Sequence, residues 1–192
     1  MPKISDSKDR MVLKTAELLQ KQGYSGTGLK QIVEESGTPR GSLYFHFPGG
    51  KEELAVAALE YACDAQVKAI RRAFSQTSTA AEAMVTLVGM VRDHLVNSDF
   101  SEGCPIATVA LEAATSEPLQ RTCSKAFETW TVLFVERLVA EGYTHVQAGE
   151  RVLIALTMME GGLLLGRAHR STRPLDAVSS EIRRVLEIQE IP

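Results

Sequence analysis

Between residues 27 and 51 the chain gathers side chains able to hold and read a polyanion. Arg40, Gly41, Tyr44, Phe45 and His46 fall close together, with Lys30 ahead of them and Lys51 behind. An arginine can pair with guanine O6 and N7, and an aromatic edge can touch a thymine methyl. Gly41 lets a backbone approach a duplex closely. Thr27, Lys30, Tyr44 and Lys51 suit phosphate oxygens, which position a protein without reading sequence. Thr38 and Pro39, at the turn just ahead of Arg40, complete the set. An aromatic pair beside Arg, His and Lys is costly on a solvated surface unless a partner covers it. A DNA duplex is such a partner. The bland alternative is a small helical subdomain whose aromatics are core.

The elements that must carry these residues follow from spacing. Leu29, Ile32 and Val33 stand at i, i+3, i+4 and make one apolar stripe. Thr27 is placed to cap that helix. Gly37 sits where the chain must turn and a left-handed φ is favoured. A second short helix is expected from about Pro39 to Phe45, with Leu43 and Phe47 pointing inward. Pro48-Gly49-Gly50 breaks it, and Lys51 opens the next helix, near whose N-terminus anions are attracted. Two short helices across a glycine turn are a helix-turn-helix, which sets one helix in the major groove.

The same residues carry a family resemblance. The segment resembles the N-terminal domain of the TetR family of bacterial repressors. The matching positions are a first helix in RMVLKTAELLQKQGY, then Thr27, Ile32, Gly37, Gly41, Leu43, Tyr44, His46, Phe47 and Lys51-Glu52-Glu53-Leu54. TPRGSLYFHFPGGKEEL and GCPIATVALE further resemble the LmrA/YxaF-like branch. That resemblance implies repression of efflux or detoxification genes, relieved by drug-like or flavonoid-like molecules. Val33 stands where the family often has Ala, and Gly28 where it often has a hydroxyl. The second departure removes one phosphate contact.

Length and charge agree. A chain of 192 residues with 44% apolar content supports a folded core, and its formal charge is −3. Residues 1–51 carry eight Lys/Arg against five acids, and the rest 13 against 19. A basic head on an acidic body would orient the molecule on DNA. The N-terminus is polar, with Asp6, Lys8, Asp9 and Arg10, and shows no secretory signal. The most apolar run, Val152 to Gly166, contains Glu160 and reads as too short to span a bilayer. Three widely spaced cysteines, Cys63, Cys104 and Cys123, fit a reducing compartment. A cytoplasmic protein is expected.

Helical spacing continues throughout, without period-2 alternation. A first helix is expected from Lys8 to Gln22, stopped by Gly23. Further helices are expected at Lys51–Phe74, Ala80–Asn97, Pro105–Thr115, Pro118–Glu141, Thr144–Arg170 and Pro174–Ile188. The fourth helix would bury Leu54, Ala58, Tyr61 and Ala65 on one side. The fold class is therefore all-α: a three-helix head over residues 1–48 and a six-helix regulatory and dimerisation body over 49–192. The fourth helix joins them as a shared rod able to transmit a tilt.

For the body, several readings stand side by side. Met84, Val88, Val91, Phe100, Cys104, Trp130, Phe134, Met158 and Met159 supply the bulky, adaptable surface of a hydrophobic ligand pocket. At helical spacing the same residues also serve as plain core. Val152, Ala155, Leu156 and Leu163 form an apolar face, and Gly162 and Gly166 permit close approach of another helix. They read either as a dimer seam or as the centre of the monomer. Resemblance to TetR proteins, which dimerise through their last two long helices, favours the seam. Cys104, between Gly103 and Pro105 ahead of a helix, is a candidate redox thiol or a small packing residue at a turn.

An enzyme is not expected. His46, His94, His145 and His169 show no metal-ligand spacing and no nucleophile motif beside them. No metal or cofactor is implied. The expected partners are a double-stranded palindromic operator, a second copy of the chain and a small hydrophobic inducer, with no membrane.

Overall fold

Wherever apolar residues recur every three or four positions, the chain is helical. The computed structural model describes residues 7–187, with nine α-helices and no strand among them. In chain order these are α1 (Ser7–Gly26), α2 (Leu29–Ser36), α3 (Arg40–His46), α4 (Lys51–Gln76) and α5 (Ala80–Asn97). Then follow α6 (Pro105–Ala110), α7 (Glu117–Ala140), α8 (His145–His169) and α9 (Arg173–Leu186), with a 3-10 turn at Ala113–Thr115. The expected helix end at Ile188, and the charges Lys3 and Asp6, lie outside the described residues.

Two compact units divide the chain. One gathers the residues through Ala65 with Cys104–Ala126, and the other Gln66–Gly103 with Phe127 onward. Both α4 and α7 pass from one unit into the other along the chain.

In the first unit, α1 packs on α2, α3 and α6. Its core is Met11, Leu18, Ile32, Val33, Leu43, Phe47 and Leu54. Gly23 breaks α1 with φ 72° and ψ −175°, and a short helical stretch resumes to Gly26. The Glu112 carboxylate fills the place of a side chain there: a Cβ on Gly23 would lie 2.0 Å from Glu112 Oε1. The same carboxylate accepts from the Ser25 amide at 2.6 Å. This explains why the helix expected from Pro105 to Thr115 stops at Ala110. Glu112 leaves regular helix to make this contact, and only a 3-10 turn follows.

Three further expectations are corrected. Thr27 does not cap α2; Gly28 holds the N-cap position without a side-chain bond. The Thr27 hydroxyl instead donates to Gly23 O at 2.6 Å, an acceptor left available by the kink. Pro39 is the N-cap of α3 rather than its first residue, with ψ 141°. On α4, Leu54 and Ala58 are buried, but Tyr61 and Ala65 are exposed.

In the second unit, α8 packs on α9 and α5, and α5 packs on α9. Capping boxes start two of these helices: Thr79 with Glu82 on α5, and Thr144 with Gln147 on α8. The Arg170 guanidinium bonds Asp99 Oδ1 at 2.6 Å and Asp99 O at 3.1 Å, and lies over the Phe100 ring. It thereby holds two consecutive non-glycine residues, Asp99 and Phe100, at positive φ. By length and composition α8 is long and apolar enough to cross a bilayer. Here its buried side faces α5 and α9, and its Arg151 donates to Val185 O.

Candidate nucleic-acid interface

Helix α3 separates anchoring side chains from outward-facing ones. Leu43 and Phe47 are buried in the head core, four positions apart. The rest of the helix is then obliged to face outward. Arg40 and Gly41 are exposed, Tyr44 is 64% exposed and Phe45 81%. His46 is half-buried, with its ring edge-on to Phe45 at 5.0 Å. The turn that presents α3 is closed from inside. Gly37, at φ 61° and ψ 35°, ends α2, and the Thr38 amide donates to Val33 O at 3.2 Å. The buried hydroxyls of Ser36 and Thr38 meet at 2.8 Å.

The structure therefore sorts the sequence-predicted contact set. Arg40, Gly41, Tyr44 and Phe45 share an exposed helix; Pro39 is exposed at its start, and Lys30 is exposed on α2 with Glu34 at 3.8 Å. Thr27 and Thr38 are buried and their hydroxyls are spent on the turns that frame the helices. Lys51 is half-buried, its ammonium 4.2 Å from the centre of the Tyr24 ring. Burial lowers the Lys51 pKa from its ordinary value, and the Glu112 carboxylate opposes that shift.

Some supports of the head escaped sequence reasoning. Glu53 reaches back to accept from the Gly49 amide at 2.7 Å, securing the start of α4. Ser116 Oγ donates to Glu52 Oε1 at 2.6 Å. Burial raises the Tyr24 pKa, and the Glu52 charge adds to this. Glu53 sits at a capping distance visible in K-E-E-L, but Glu112 and Ser116 carry no local signal.

The ligand-pocket candidates fall in both units. Met84, Val88, Trp130, Phe134 and Met159 are buried in the second unit, and Val91, Phe100 and Met158 are half-buried there. Phe134 meets Phe74 edge-to-face at 4.8 Å. Cys104 belongs to the first unit, where it is the N-cap of α6 and its Sγ accepts from the Ala107 amide at 3.5 Å. Cys123, also in that unit, is buried, which pushes its thiol up to about 11.

The residues assigned to a dimer seam need correction. Val152, Ala155, Leu156, Gly162, Leu163 and Gly166 are buried within their own chain. A Cβ on Gly162 would lie 2.9 Å from Val178 Cγ2 and 3.2 Å from Leu175 Cδ2, both on α9. One on Gly166 would lie 3.0 Å from Leu95 Cδ2 on α5. The small residues thus admit neighbouring helices of the same chain. The exposed apolar side of α8 is a different one: Val146, Leu153, Ile154, Leu164 and Leu165.

Among the described residues no group of three or more His, Cys, Asp and Glu side chains is placed to hold a metal ion. What the first unit displays is a helix-turn-helix with an exposed second helix, the architecture of a DNA-binding regulator.

Comparison with known proteins agrees. Residues 13–58 match the family of bacterial regulatory proteins, tetR family, and residues 80–181 match the transcriptional regulator LmrA/YxaF-like C-terminal domain. The chain is 34% identical to the HTH-type transcriptional regulator LmrA of Bacillus subtilis over 183 residues, covering 95% of this chain and 97% of that protein. It is 34% identical to YxaF of the same organism over 178 residues, covering 92% and 93%. A TetR transcriptional regulator from Legionella pneumophila shares its fold, with TM-score 0.87 at 24% identity over 96% of this chain and 100% of that one. The chain belongs to the LmrA/YxaF-like branch of the TetR family of transcriptional regulators. It is a DNA-binding regulator and not an enzyme.

Proposed function

We propose that the chain is a cytoplasmic repressor that binds a palindromic operator as a homodimer and is released by a small hydrophobic inducer. The observation that carries the DNA-facing half is α3, which leaves Tyr44 and Phe45 uncovered beside Arg40 while burying Leu43 and Phe47. Arg40 and Phe45 read bases, and Gly41 lets the helix backbone approach the duplex. Lys30, Tyr44 and Lys51 hold phosphates, Pro39 and His46 flank them on the DNA-facing side, and Thr27 and Thr38 act by shaping the turns. Residues 1–48 form the operator-binding domain and 49–192 the ligand-binding and dimerisation domain.

A single head contacts few base pairs, and two heads a helical turn apart read a palindrome. The exposed aliphatic side of α8 supports the second copy as the dimer partner. The apolar residues Met84, Val88, Val91, Phe100, Trp130, Phe134, Met158 and Met159 of the second unit support an apolar inducer. The inducer shifts the head between arrangements only by its differential affinity for them.

The test is a salt-dependent gel shift on DNA flanking the protein's own gene. A retarded band whose affinity falls steeply with salt, and which requires an inverted repeat, is the expected result. Equal affinity for scrambled DNA of the same length would refute the operator reading.

A further inference from the structure

Trp130 is 4% exposed, and its indole Nε1 is buried with no hydrogen-bond partner among the described residues. Indole N–H is a donor only, and its direction is fixed by the ring. A buried donor left unpaired is unfavourable, and buried tryptophans normally find an acceptor. Thr15 Oγ1 is also buried and unpaired, but a hydroxyl can rotate to suit its surroundings. The indole has no such freedom: the Phe127 ring stands against it edge-to-face, at 5.3 Å and 84°. The nearby Thr131 hydroxyl is already turned onto Phe127 O at 2.8 Å.

The surroundings narrow what would satisfy it. Among the described residues, the four buried polar side chains, Thr15, Thr27, Ser36 and Thr38, all belong to the first compact unit. In the second unit the buried side chains are aliphatic or aromatic, and the Tyr143 hydroxyl is spent on Leu186 O at 2.8 Å. Among the described residues of that unit no charged side chain is fully buried, so a charged ligand group taken into its apolar interior would find no fully buried counter-charge.

We propose that Trp130 is the hydrogen-bond donor to the inducer, and that the inducer is an uncharged, largely apolar molecule bearing a neutral acceptor such as a carbonyl oxygen. This rests on the ligand-binding reading above and names the chemistry of that site.

The chain has one tryptophan, so a 15N–1H correlation spectrum of the intact protein shows one indole cross-peak. Three matched pairs serve as probes: fluorene and 9-fluorenone, xanthene and xanthone, diphenylmethane and benzophenone. The free protein should place the indole proton in the high-field range of an unbonded N–H, and each ketone should move it downfield. Calorimetry should show the ketone of a pair binding roughly five- to tenfold tighter than its partner, the value of one neutral hydrogen bond. In Trp130→Phe that preference should vanish while apolar binding remains. A free-state indole proton already at its bonded position, equal affinity within every pair, or a preference retained in Trp130→Phe would each overturn the assignment. Should Trp130→Phe not fold, the wild-type shift and the pair preference decide. If no member of any pair binds, it is the ligand-binding reading that fails, and this assignment falls with it.

Discussion

The two compact units place polarity in opposite ways. The first buries hydroxyls and uncovers aromatics: Thr27, Ser36 and Thr38 are inside, while Tyr44 and Phe45 face out. The second buries Met84, Leu87, Trp130, Phe134 and Met159, and among its described residues no serine or threonine is buried. On the function proposed above, the difference reflects what each must meet. A rigid turn is needed to present a helix to DNA, and buried hydroxyl bonds fix geometry better than aliphatic contact does. An interior of methionine and aromatic rings adapts to varied apolar shapes.

The contrast can be broken most forcefully from the apolar side. Phe134→Ala removes a fully buried ring that packs on Phe74, and should destabilise the protein by about 3–5 kcal/mol in chemical denaturation. A loss below about 1 kcal/mol would mean that ring is not a core element. Next comes the exposed side of α8. Leu153→Glu with Leu164→Glu should weaken the proposed homodimer by roughly 2–4 kcal/mol in sedimentation, with little change in the far-UV circular dichroism. An unchanged dimer would move the interface elsewhere.

On the head, Arg40→Ala should cost about 1–3 kcal/mol of operator affinity and relax preference at one base position, with the melting temperature unaltered. A uniform loss across sequences would make Arg40 a phosphate contact. Glu112→Gln keeps the shape but removes the charge facing the Ser25 amide, so roughly 1 kcal/mol of stability should go. Hydrogen exchange should quicken at Ser25 first. The smallest change expected is Thr38→Val, which deletes one neutral hydroxyl bond to Ser36 at a cost of about 0.5 kcal/mol. If Thr38→Val is silent in both stability and DNA affinity, buried hydroxyls do not stiffen the turn.

How much could be read in advance depended on sequence distance. The head was legible because its determinants are local. Leu29, Ile32 and Val33 phase α2, Gly37 turns the chain, and Leu43 with Phe47 orients α3 within one turn. The outward set Arg40, Gly41, Tyr44 and Phe45 follows from that phase. Thr27 was misread because the kink at Gly23 releases a competing carbonyl that a capping rule does not anticipate.

On α8 the inward face was legible but what covers it was not. Val152, Ala155, Leu156 and Leu163 mark a buried face whether a second copy or the same chain packs on it. The clash a Cβ on Gly162 or Gly166 would make shows that α9 and α5 of the same chain cover it. The Glu112 contact spans 87 positions and has no local trace at all.

The anchoring of α3 by Leu43 and Phe47 has an evolutionary corollary. Under the proposed function, the buried anchors and the exposed residues at 40, 41, 44 and 45 are different side chains. A duplicated copy of this gene would then be able to exchange the exposed set and acquire a new target without disturbing the head core.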